Sequence, residues 1–343
     1  MSLKSRRTLI LGLAACAFGL LTAPHGHAKD AEVTLRVAHF LPPSSTAQKS
    51  LIEPWAEALA QQSNGRIAVE IYPAMQLGGR PPQLIDQVRT GVADVVWTLP
   101  GYTPGRFPKT EVFELPFMVP NAEAGSRALW AFYEKHLRDE FADVHPLALH
   151  VHAPGTLHMV EDAVTRLEDL DGKKVRLPSQ PIGQALKALG ATPVGMPVPA
   201  TYEALDRGVV DGALLPWEVV GPLRINELTE HHLEVGLYTA TFLFAMNKTT
   251  YANLPEDLRA IIDANSGADL AARVGKAWDD AEQPARAAAE RAGHTFHTLP
   301  PEELERWVEA TDPVAEAWIA RTDNGATLYE EAKALIGAFS KAD

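Results

Sequence analysis

The sequence predicts an α/β fold built as two similar lobes. Strand and helix patterns alternate along the chain, as in a sheet flanked by helices. Residues 89–96 and 206–213 share one pattern, in which a helix end is followed by a Gly-x-x-Asp turn and a strand. The chain of 343 residues is also long enough for two domains, each with its own core. These observations together predict a cleft between the lobes.

Residues 1–28 have the pattern of an export signal, with basic residues before an apolar run at 9–21 and small residues before a cleavage point after Ala28. The Arg6–Arg7 pair is compatible with twin-arginine export and equally with an ordinary signal. A lipobox interpretation would attach a lipid anchor to Cys16. The apolar run continues past that cysteine, which favours a free periplasmic protein.

The charge of the chain limits its partners. Removal of the signal changes the formal charge from −13 to −16, because three basic residues are lost. This argues against binding nucleic acid or an anionic membrane, although a desolvated arginine in a cleft can still attract an anion. The shortened chain contains no cysteine for a disulfide and no apolar run of about 20 residues that could span a membrane.

Five elements are predicted in the first lobe. Strand 33–40 shows alternation and β-branching, and in helix 46–62 apolar residues recur every four positions. Strand 67–72, helix 84–89 and strand 92–97 follow, and this order predicts a parallel sheet with helices on both faces. Ligands of such sheets bind beyond the carboxyl ends of the strands, so loop 99–108 is a candidate wall of the cleft.

The second cycle is predicted to begin with a strand at 146–152 and to continue through 170–178 into a helix at 182–189. After a strand at 241–247 the remaining chain reads as helical. The predicted helices are 255–266, about 267–292, and those that follow Pro300 and Pro313. Pro284 is expected to interrupt or bend the long helix.

Seven segments carry a resemblance to a known family. They are Ser63–Pro73 with Gln76–Gly78, Gly91–Asp94, Phe113–Phe117, Leu167–Pro178, Ala188–Pro193, Tyr202–Leu205 and Gly208–Gly212. In order and spacing they resemble the extracytoplasmic solute-binding subunits of tripartite ATP-independent periplasmic (TRAP) transporters, the dicarboxylate- and sialic-acid-binding protein family. The resemblance spans nearly the whole mature chain.

The resemblance implies the two-lobed periplasmic binding protein fold, with mixed sheets flanked by helices and a long helix spanning both lobes. Chain crossings between the lobes would act as hinges. The expected division is a signal peptide at 1–28, lobe I at 29–152, lobe II at 153–240, a return to lobe I with the spanning helix at 241–281, and C-terminal helices on lobe II at 282–343.

The resemblance also implies that Arg176, at a strand end of the second lobe, pairs with the carboxylate of an organic acid. A guanidinium offers paired donors that match a carboxylate. The alternative is a structural ion pair with an acid such as Asp171. Many relatives have a further ligand-binding arginine in the segment corresponding to 152–158, and this sequence has none there. A monocarboxylate is therefore expected.

Four other side chains and one loop are candidates for the remaining wall. Trp97 and Trp217 could face each other across the cleft and sandwich a flat ligand, or each could pack in the core of its lobe. Glu218 could bind a hydroxyl or ammonium group, or be a solvated acid. His152 could replace the missing arginine as a polar contact. The loop from Tyr102 to Phe107 is expected to support them.

The predicted function is capture of a small organic acid by hinge closure, for uptake through the integral membrane permease subunits of a TRAP transporter. The acid could be aromatic, or a hydroxy or oxo acid. A sulfonate ligand, a sensor partner and an extracytoplasmic hydrolase are the alternatives. We do not expect an enzyme, because the sequence has no Gly-x-Ser-x-Gly elbow and no His-Glu-x-x-His helix.

No cofactor is expected, because the sequence contains neither a phosphate loop nor a dinucleotide fingerprint. His150, His152, His158 and the pair His231–His232 lack the spacing of a zinc site. Calcium bound together with the acid, as in some members of the family, remains an open alternative.

Overall fold

The computed structural model describes residues 31–341, so the predicted export signal and Cys16 lie outside the described residues. Within this range no helix combines the length and the apolar character needed to cross a membrane. The strands are β1 (Val33–His39), β2 (Ile67–Tyr72), β3 (Val95–Thr98), β4 (His145–Val151), β5 (Thr156–Met159), β6 (Lys174–Leu177), β7 (Thr192–Gly195), β8 (Gly212–Leu215), β9 (His231–Leu233), β10 (Thr241–Met246) and β11 (Thr295–His297).

The α-helices of the described range are α1 (Glu53–Gln62), α2 (Leu84–Thr90), α3 (Ala122–Phe132), α4 (Gln180–Ala188), α5 (Thr201–Asp206), α6 (Trp217–Val220), α7 (Lys248–Asn253), α8 (Glu256–Ala264), α9 (Ala268–Arg291), α10 (Pro301–Arg321) and α11 (Gly325–Ser340). α1, α2, α4, α8, α9 and the start of α10 lie within a few residues of their predicted positions, whereas α3, α6 and α7 were not predicted. A π-helical turn at Ala47–Ile52 leads into α1, and the two together form the helix predicted at 46–62.

The first sheet has the strand order β2-β1-β3-β10-β4. β1 is parallel to β2 and β3, with Val33 opposite Ile67 and Val37 opposite Val95. β10 inserts antiparallel between β3 and β4. The sheet is therefore mixed, whereas the order of the first three strands predicted a parallel one. β4, predicted to open the second cycle, is an edge strand of this first sheet.

The second sheet has the order β11-β9-β5-β8-β6-β7. β8, β6 and β7 are parallel neighbours, and β5 pairs antiparallel with β8 and β9. The two mixed sheets, each flanked by helices, form the cores of the two lobes. We call the part around the first sheet lobe I and the part around the second sheet lobe II.

The repeated Gly-x-x-Asp turn has the same role in both lobes. Gly91 ends α2 with a φ of 77°, and Gly208 follows α5 with a φ of 65°, a conformation that glycine adopts without strain. Asp94 then accepts a hydrogen bond from the backbone N–H of Arg36, and Asp211 accepts one from that of Lys174. Each aspartate thus fastens the start of its strand to the neighbouring parallel strand.

α9 is the long helix that connects the lobes. It packs against α3 and β4 of lobe I and against α6 of lobe II. Gly275 lies so close to α3 that a Cβ atom there would be 2.5 Å from the carbonyl oxygen of Ala122. Pro284 lies inside α9 and does not end it. Pro313 likewise lies inside α10, so one continuous helix follows Pro300 where two were predicted.

The two C-terminal helices pack on different lobes. α10 lies against α4 of lobe II, and α11 lies against α3 of lobe I. Glu331 of α11 forms an ion pair with Lys135 and a hydrogen-bond contact of 2.8 Å with Nε2 of His136, and both partners follow α3. This differs from the expectation that all of residues 282–343 would lie on lobe II. The last helix makes a further connection between the lobes, because α3 presents an apolar face that α11 covers.

Candidate ligand-binding site

Residues of both lobes line one small cavity. Its wall is mainly apolar, and its aromatic members are Phe40, Trp97, Tyr102, Tyr238 and Phe242. The ionisable lining residues besides the tyrosines are Arg176, His152 and Glu218. A cavity with aromatic walls and few charged groups suits a small ring that carries one anionic group.

Arg176 is the cationic group of this cavity. It lies one residue before the end of β6 and is 2% exposed. Its Nε and Nη2 donate to the carbonyl oxygen of Met196 at 3.1 and 2.9 Å, and its Nη1 makes a long contact of 3.4 Å with the carbonyl oxygen of Leu214. A guanidinium has five N–H donors, so donors remain for another partner.

No carboxylate among the described residues lies within ion-pair distance of Arg176, and the alternative partner Asp171 is exposed. A buried cation is strongly disfavoured unless an anion or several dipoles stabilise it. Two carbonyl oxygens stabilise this one only in part. The position can therefore bind an anionic group that enters the cavity.

Tyr102 connects the lobes beside Arg176. Its hydroxyl oxygen, in the lobe I segment after β3, accepts a hydrogen bond of 2.9 Å from the backbone N–H of Val198 in lobe II. Burial raises the pKa of the Tyr102 phenol, although the nearby Arg176 opposes this, so the group stays protonated. Its own proton is then free to be donated to a bound anion.

Trp97 lies at the end of β3 and contributes to the cavity wall, but it is also packed into an aromatic cluster. Phe40 and Phe242 stack on it with ring centroids 4.9 and 4.6 Å away. Its indole N–H donates to Nε2 of His150 at 2.9 Å. Trp97 therefore has parts of both expected roles. Its ring contributes to the cavity wall, and it also packs in the core of lobe I, where its indole N–H is hydrogen-bonded to His150.

Trp217 does not line the cavity, so the expected sandwich between Trp97 and Trp217 is not formed. The Trp217 ring packs in lobe II against His158, His232 and Phe296, and its Nε1 donates to Glu234 at 3.2 Å. The sequence analysis expected Trp217 to continue the alternation of a strand. Pro216 instead is the N-cap of α6, which begins directly after β8, so the Trp217 side chain takes another direction.

Phe107 also lies outside the cavity. It stacks on Phe141 with ring centroids 4.9 Å apart, in the packing beneath the loop. The other end of the predicted loop, Tyr102, does line the cavity. The short helical turn Pro100–Tyr102 folds the chain back, so the two ends of the loop point to different surroundings.

His152 lines the cavity but cannot replace the missing arginine as a polar contact in this conformation. Its Nδ1 donates to the carbonyl oxygen of Ala153, and its Nε2 accepts from the backbone N–H of Ala240 at 3.0 Å. Both nitrogens are therefore used. Burial lowers the pKa of His152 to about 4, so the ring is neutral at neutral pH and offers the ligand only its carbon edge.

Glu218 is the acidic group of the cavity, and it is not a solvated acid. Only 6% of the residue is exposed, and its Oε2 is buried without a hydrogen-bond partner among the described residues. Burial first, and then the charge of Glu282, raise its pKa to about 8. The carboxyl group is therefore protonated at neutral pH.

The histidines noted in the sequence do not converge on one point. His158 and His232 contact each other through their Nδ1 atoms at 2.8 Å, and His232 contacts His294 at 2.9 Å. Across residues 31–341 no group of three or more histidine, cysteine, aspartate or glutamate side chains is arranged to hold a metal ion. His150 instead accepts from Trp97 in lobe I.

A wider groove adjoins the cavity and shares Tyr102 and Pro178 with it. Residues of α4 and the chain after β7 form one side, and the segment around Pro104 forms the other. It contains one cation, Lys187, near its rim. Residues of both lobes line this groove.

Several cavity residues were not identified from the sequence. Phe40 follows β1, and it could have been found by the argument used for Trp97, since both lie at carboxyl ends of parallel strands. Phe242 and Tyr238 could not, because they belong to the returning chain, whose antiparallel register with β3 and β4 depends on tertiary structure.

Comparison with protein families gives one match over most of the chain. The model for bacterial extracellular solute-binding protein, family 7 (DctP), matches residues 37–322. Among curated relatives, the C4-dicarboxylate-binding periplasmic protein DctP of Rhodobacter capsulatus is 25% identical over 315 residues, covering 91% of this chain and 94% of that protein.

Solved structures include more similar proteins. A TRAP solute-binding protein from Rhodoferax ferrireducens T118, in complex with copurified benzoate, is 44% identical with a TM-score of 0.88, over 90% of this chain and 98% of that chain. A second structure is that of a marine metagenome TRAP solute-binding protein specific for aromatic acid ligands, in complex with 3-hydroxybenzoate. It is 45% identical with a TM-score of 0.88, over 90% of this chain and 99% of that chain. One from Bordetella bronchiseptica, with bound mandelate, is 29% identical with a TM-score of 0.83, over 89% and 99%.

Proposed function

Because the chain belongs to the DctP family of bacterial extracellular solute-binding proteins, we propose that it captures an aromatic monocarboxylate for uptake by a TRAP transporter. The carboxylate binds Arg176, and the ring occupies the aromatic part of the cavity. The family consists of binding proteins, so the ligand is expected to leave the site chemically unchanged.

The observation that carries this proposal is the buried guanidinium of Arg176. It is the only cation in the wall of the cavity as described, and its bonds to protein are to carbonyl oxygens. One arginine matches one carboxylate through two parallel hydrogen bonds. A ligand with a second carboxylate would find no second cation in this wall, which favours a monocarboxylate.

The aromatic walls support the second part of the proposal. The ring planes of Trp97 and Phe242 are parallel to within 11°, and Phe40 also stacks on Trp97, so this side of the cavity presents rings to the ligand. Aromatic faces and edges favour a flat apolar body over a hydrated sugar acid. The benzoate and 3-hydroxybenzoate complexes of the two relatives above 40% identity agree with this choice.

Closure of the two lobes is the proposed mechanism. We assign the crossings to residues 152–155 and 234–240, which run side by side between the sheets, and to the helices that touch both lobes. The backbone N–H of Gly155 donates to the carbonyl oxygen of Tyr238 at 2.8 Å, which joins these two crossings. Contacts such as Tyr102 with Val198 form only when the lobes approach, so a ligand that binds both lobes favours the closed state.

Export and docking complete the proposal. The leader at 1–28 would direct the protein out of the cytoplasm, and the closed form would be recognised by the integral membrane permease subunits. A sensor partner would use the same closure. Deletion of the genes for the permease subunits distinguishes a transporter partner from a sensor partner, since it abolishes uptake of the acid only if the protein serves a transporter.

A thermal-shift panel tests the ligand class. The mature protein, refolded free of ligand, is heated with benzoate, hydroxybenzoates, mandelate, benzenesulfonate, succinate and galactonate. A ligand at about a hundred times its Kd stabilises the native state by about 2.7 kcal/mol, which raises the Tm by several degrees. We expect shifts with aromatic carboxylates only. Shifts with succinate or galactonate alone would reject the aromatic assignment, and a shift with benzenesulfonate alone would indicate a sulfonate-binding protein.

A further inference from the structure

The carboxyl group of Glu218 lines the cavity, and its Oε2 makes no hydrogen bond within residues 31–341. Glu218 lies in the first turn of α6, lines the same cavity as Arg176, and has its Oε2 buried. No cation of the described chain lies within ion-pair distance of it. A buried polar atom without a hydrogen bond is costly, so an unsatisfied one in a cavity wall points to a ligand atom.

The surroundings of Glu218 favour its neutral form. Glu282 of α9 accepts hydrogen bonds from the backbone N–H groups of Trp217 and Glu218 at 3.0 and 2.9 Å, so a second carboxyl group lies close by. The hydroxyl of Thr46 and the indole N–H of Trp278 face Glu218, but Trp278 Nε1 has no hydrogen-bond partner among the described residues. A protonated carboxyl can both donate and accept.

We propose that Glu218 forms a hydrogen bond with a hydroxyl group on the ring of the bound acid, so that the protein prefers hydroxylated aromatic acids to unsubstituted ones. This inference rests on the proposed function, because Arg176 must first orient the ring by its carboxylate. A hydroxyl also both donates and accepts, so it satisfies a protonated carboxyl in either direction. A bare ring would leave Oε2 desolvated and unpaired, which disfavours it.

Other polar substituents fit less well. A second carboxylate would be a buried charge without a cation of its own, because Arg176, the one cation in the described lining, already binds the first carboxylate. An ammonium group would favour the ionised form of Glu218 and would have to enter an apolar cavity next to Arg176. A phenolic hydroxyl carries no charge and brings its own donor, so it costs less to bury than either.

Isothermal titration calorimetry can test this by the ratio of two affinities. We titrate benzoate, the three monohydroxybenzoates and the three chlorobenzoates into the native protein and into Glu218→Leu. The chlorobenzoates are apolar analogues with a substituent at the same ring positions. We expect at least one hydroxy isomer to bind the native protein about tenfold or more tighter than benzoate and than the matching chlorobenzoate. In Glu218→Leu this ratio should fall to about one.

Two further variants complete the design. Glu218→Gln retains a donor and an acceptor of the same shape and should keep most of the preference. Glu203→Gln, an exposed acid of lobe II, is the matched control and should leave every affinity as in the native protein. Because damage to the fold lowers the affinity for all the acids together, the ratio separates loss of the hydroxyl contact from loss of structure.

The outcomes distinguish this inference from the proposed function. If no aromatic acid binds the native protein, both fail. If benzoate binds but every hydroxy isomer binds no better than its chloro counterpart, only the role of Glu218 is rejected, and this comparison needs no variant. A preference that persists in Glu218→Leu would also overturn it. Tighter binding of 3-(aminomethyl)benzoate than of any hydroxy isomer would show that the carboxyl is ionised and would contradict the proposal.

Discussion

Asp279 and Glu282, which lie three residues apart on α9, cap helices that belong to different lobes. The carboxylate of Asp279 accepts the first two backbone N–H groups of α3 in lobe I, both at 2.8 Å. Glu282 does the same for the first two N–H groups of α6 in lobe II, at 3.0 and 2.9 Å. One turn of the connecting helix therefore anchors both lobes, and the second anchor lies next to Glu218 in the cavity.

Loss of the first cap should weaken the native state. Asp279→Ala leaves two partly buried N–H groups of α3 without acceptors and removes a favourable charge at a helix N-terminus, so we expect the free energy of unfolding to fall by about 1–2 kcal/mol. Urea denaturation followed by circular dichroism measures this. Asp280→Ala is the control, because Asp280 is exposed and forms a surface ion pair with Lys276 one turn away, and should cost less than about 0.5 kcal/mol.

The hydrogen bond between Tyr102 and Val198 should contribute to closure. Tyr102→Phe removes the acceptor of the Val198 N–H while preserving the ring, so we expect benzoate to bind about fivefold to fiftyfold more weakly. Calorimetry of Tyr102→Phe beside Tyr329→Phe, a change on α11 away from the cavity, measures the effect. Equal affinities in the two variants would mean that the bond does not favour the closed form.

Gly101 is required for the lobes to approach. A Cβ atom at this position would lie 2.7 Å from the Cβ of Ser179 in lobe II, well inside van der Waals contact. We expect Gly101→Ala to weaken ligand binding by about tenfold or more, because overpacking opposes closure, with little effect on the Tm of the unliganded protein. Gly337→Ala, at a position with open space, is the control.

Small-angle scattering gives a second measurement for the same variant. We expect the radius of gyration of the native protein to decrease when benzoate is added, and that of Gly101→Ala to change less. A full decrease in the variant would show that the neighbouring segment moves aside and that the glycine is not needed.

Glu218 should give the unliganded protein a pH-dependent stability. Its pKa is raised to about 8 in the folded protein, against about 4.3 for an unfolded glutamate. The folded state therefore holds this proton when the unfolded state has lost it, and native stability falls as pH rises from about 4 to about 8. Burial also raises the pKa of the neighbouring Glu282, to about 7, which acts in the same direction.

The measurement compares the native protein with Glu218→Gln, which cannot ionise. We subtract the free energy of unfolding of the native protein from that of Glu218→Gln at each pH. We expect this difference to increase by more than about 1 kcal/mol from about pH 5 to about pH 8. Urea denaturation over this range tests it. A difference that stays constant with pH would mean that Glu218 ionises as an ordinary glutamate.

Much of the fold could be predicted from local patterns. The Gly-x-x-Asp turns were visible because glycine is needed where φ is positive. β1 and β3 were visible because a run of strand-forming residues is followed by proline, which ends a strand. The antiparallel insertion of β10 was not predictable, since it depends on where the returning chain finds a gap between β3 and β4. The continuity of α10 through Pro313 was also missed, because packing outweighs the local cost of proline.

The candidate site was predictable to a similar degree. Arg176, Trp97, Tyr102, His152 and Glu218 were expected near the cleft, and they do line one cavity. Trp217 was misplaced because Pro216 starts a helix there, which changes the side-chain period from two to about 3.6. The polar role of His152 failed for another reason, since backbone groups brought together by the fold occupy both of its nitrogens.

The central claim is that Arg176 binds the carboxylate of an aromatic acid, and calorimetry with benzoate and benzamide tests it most directly. The two ligands share one shape and differ in charge. We expect benzoate to bind the native protein about a hundredfold or more tighter than benzamide, and Arg176→Gln to remove this difference while Arg207→Gln, at an exposed position, keeps it. Equal binding of the two ligands by the native protein, or tight benzoate binding by Arg176→Gln, would contradict the account.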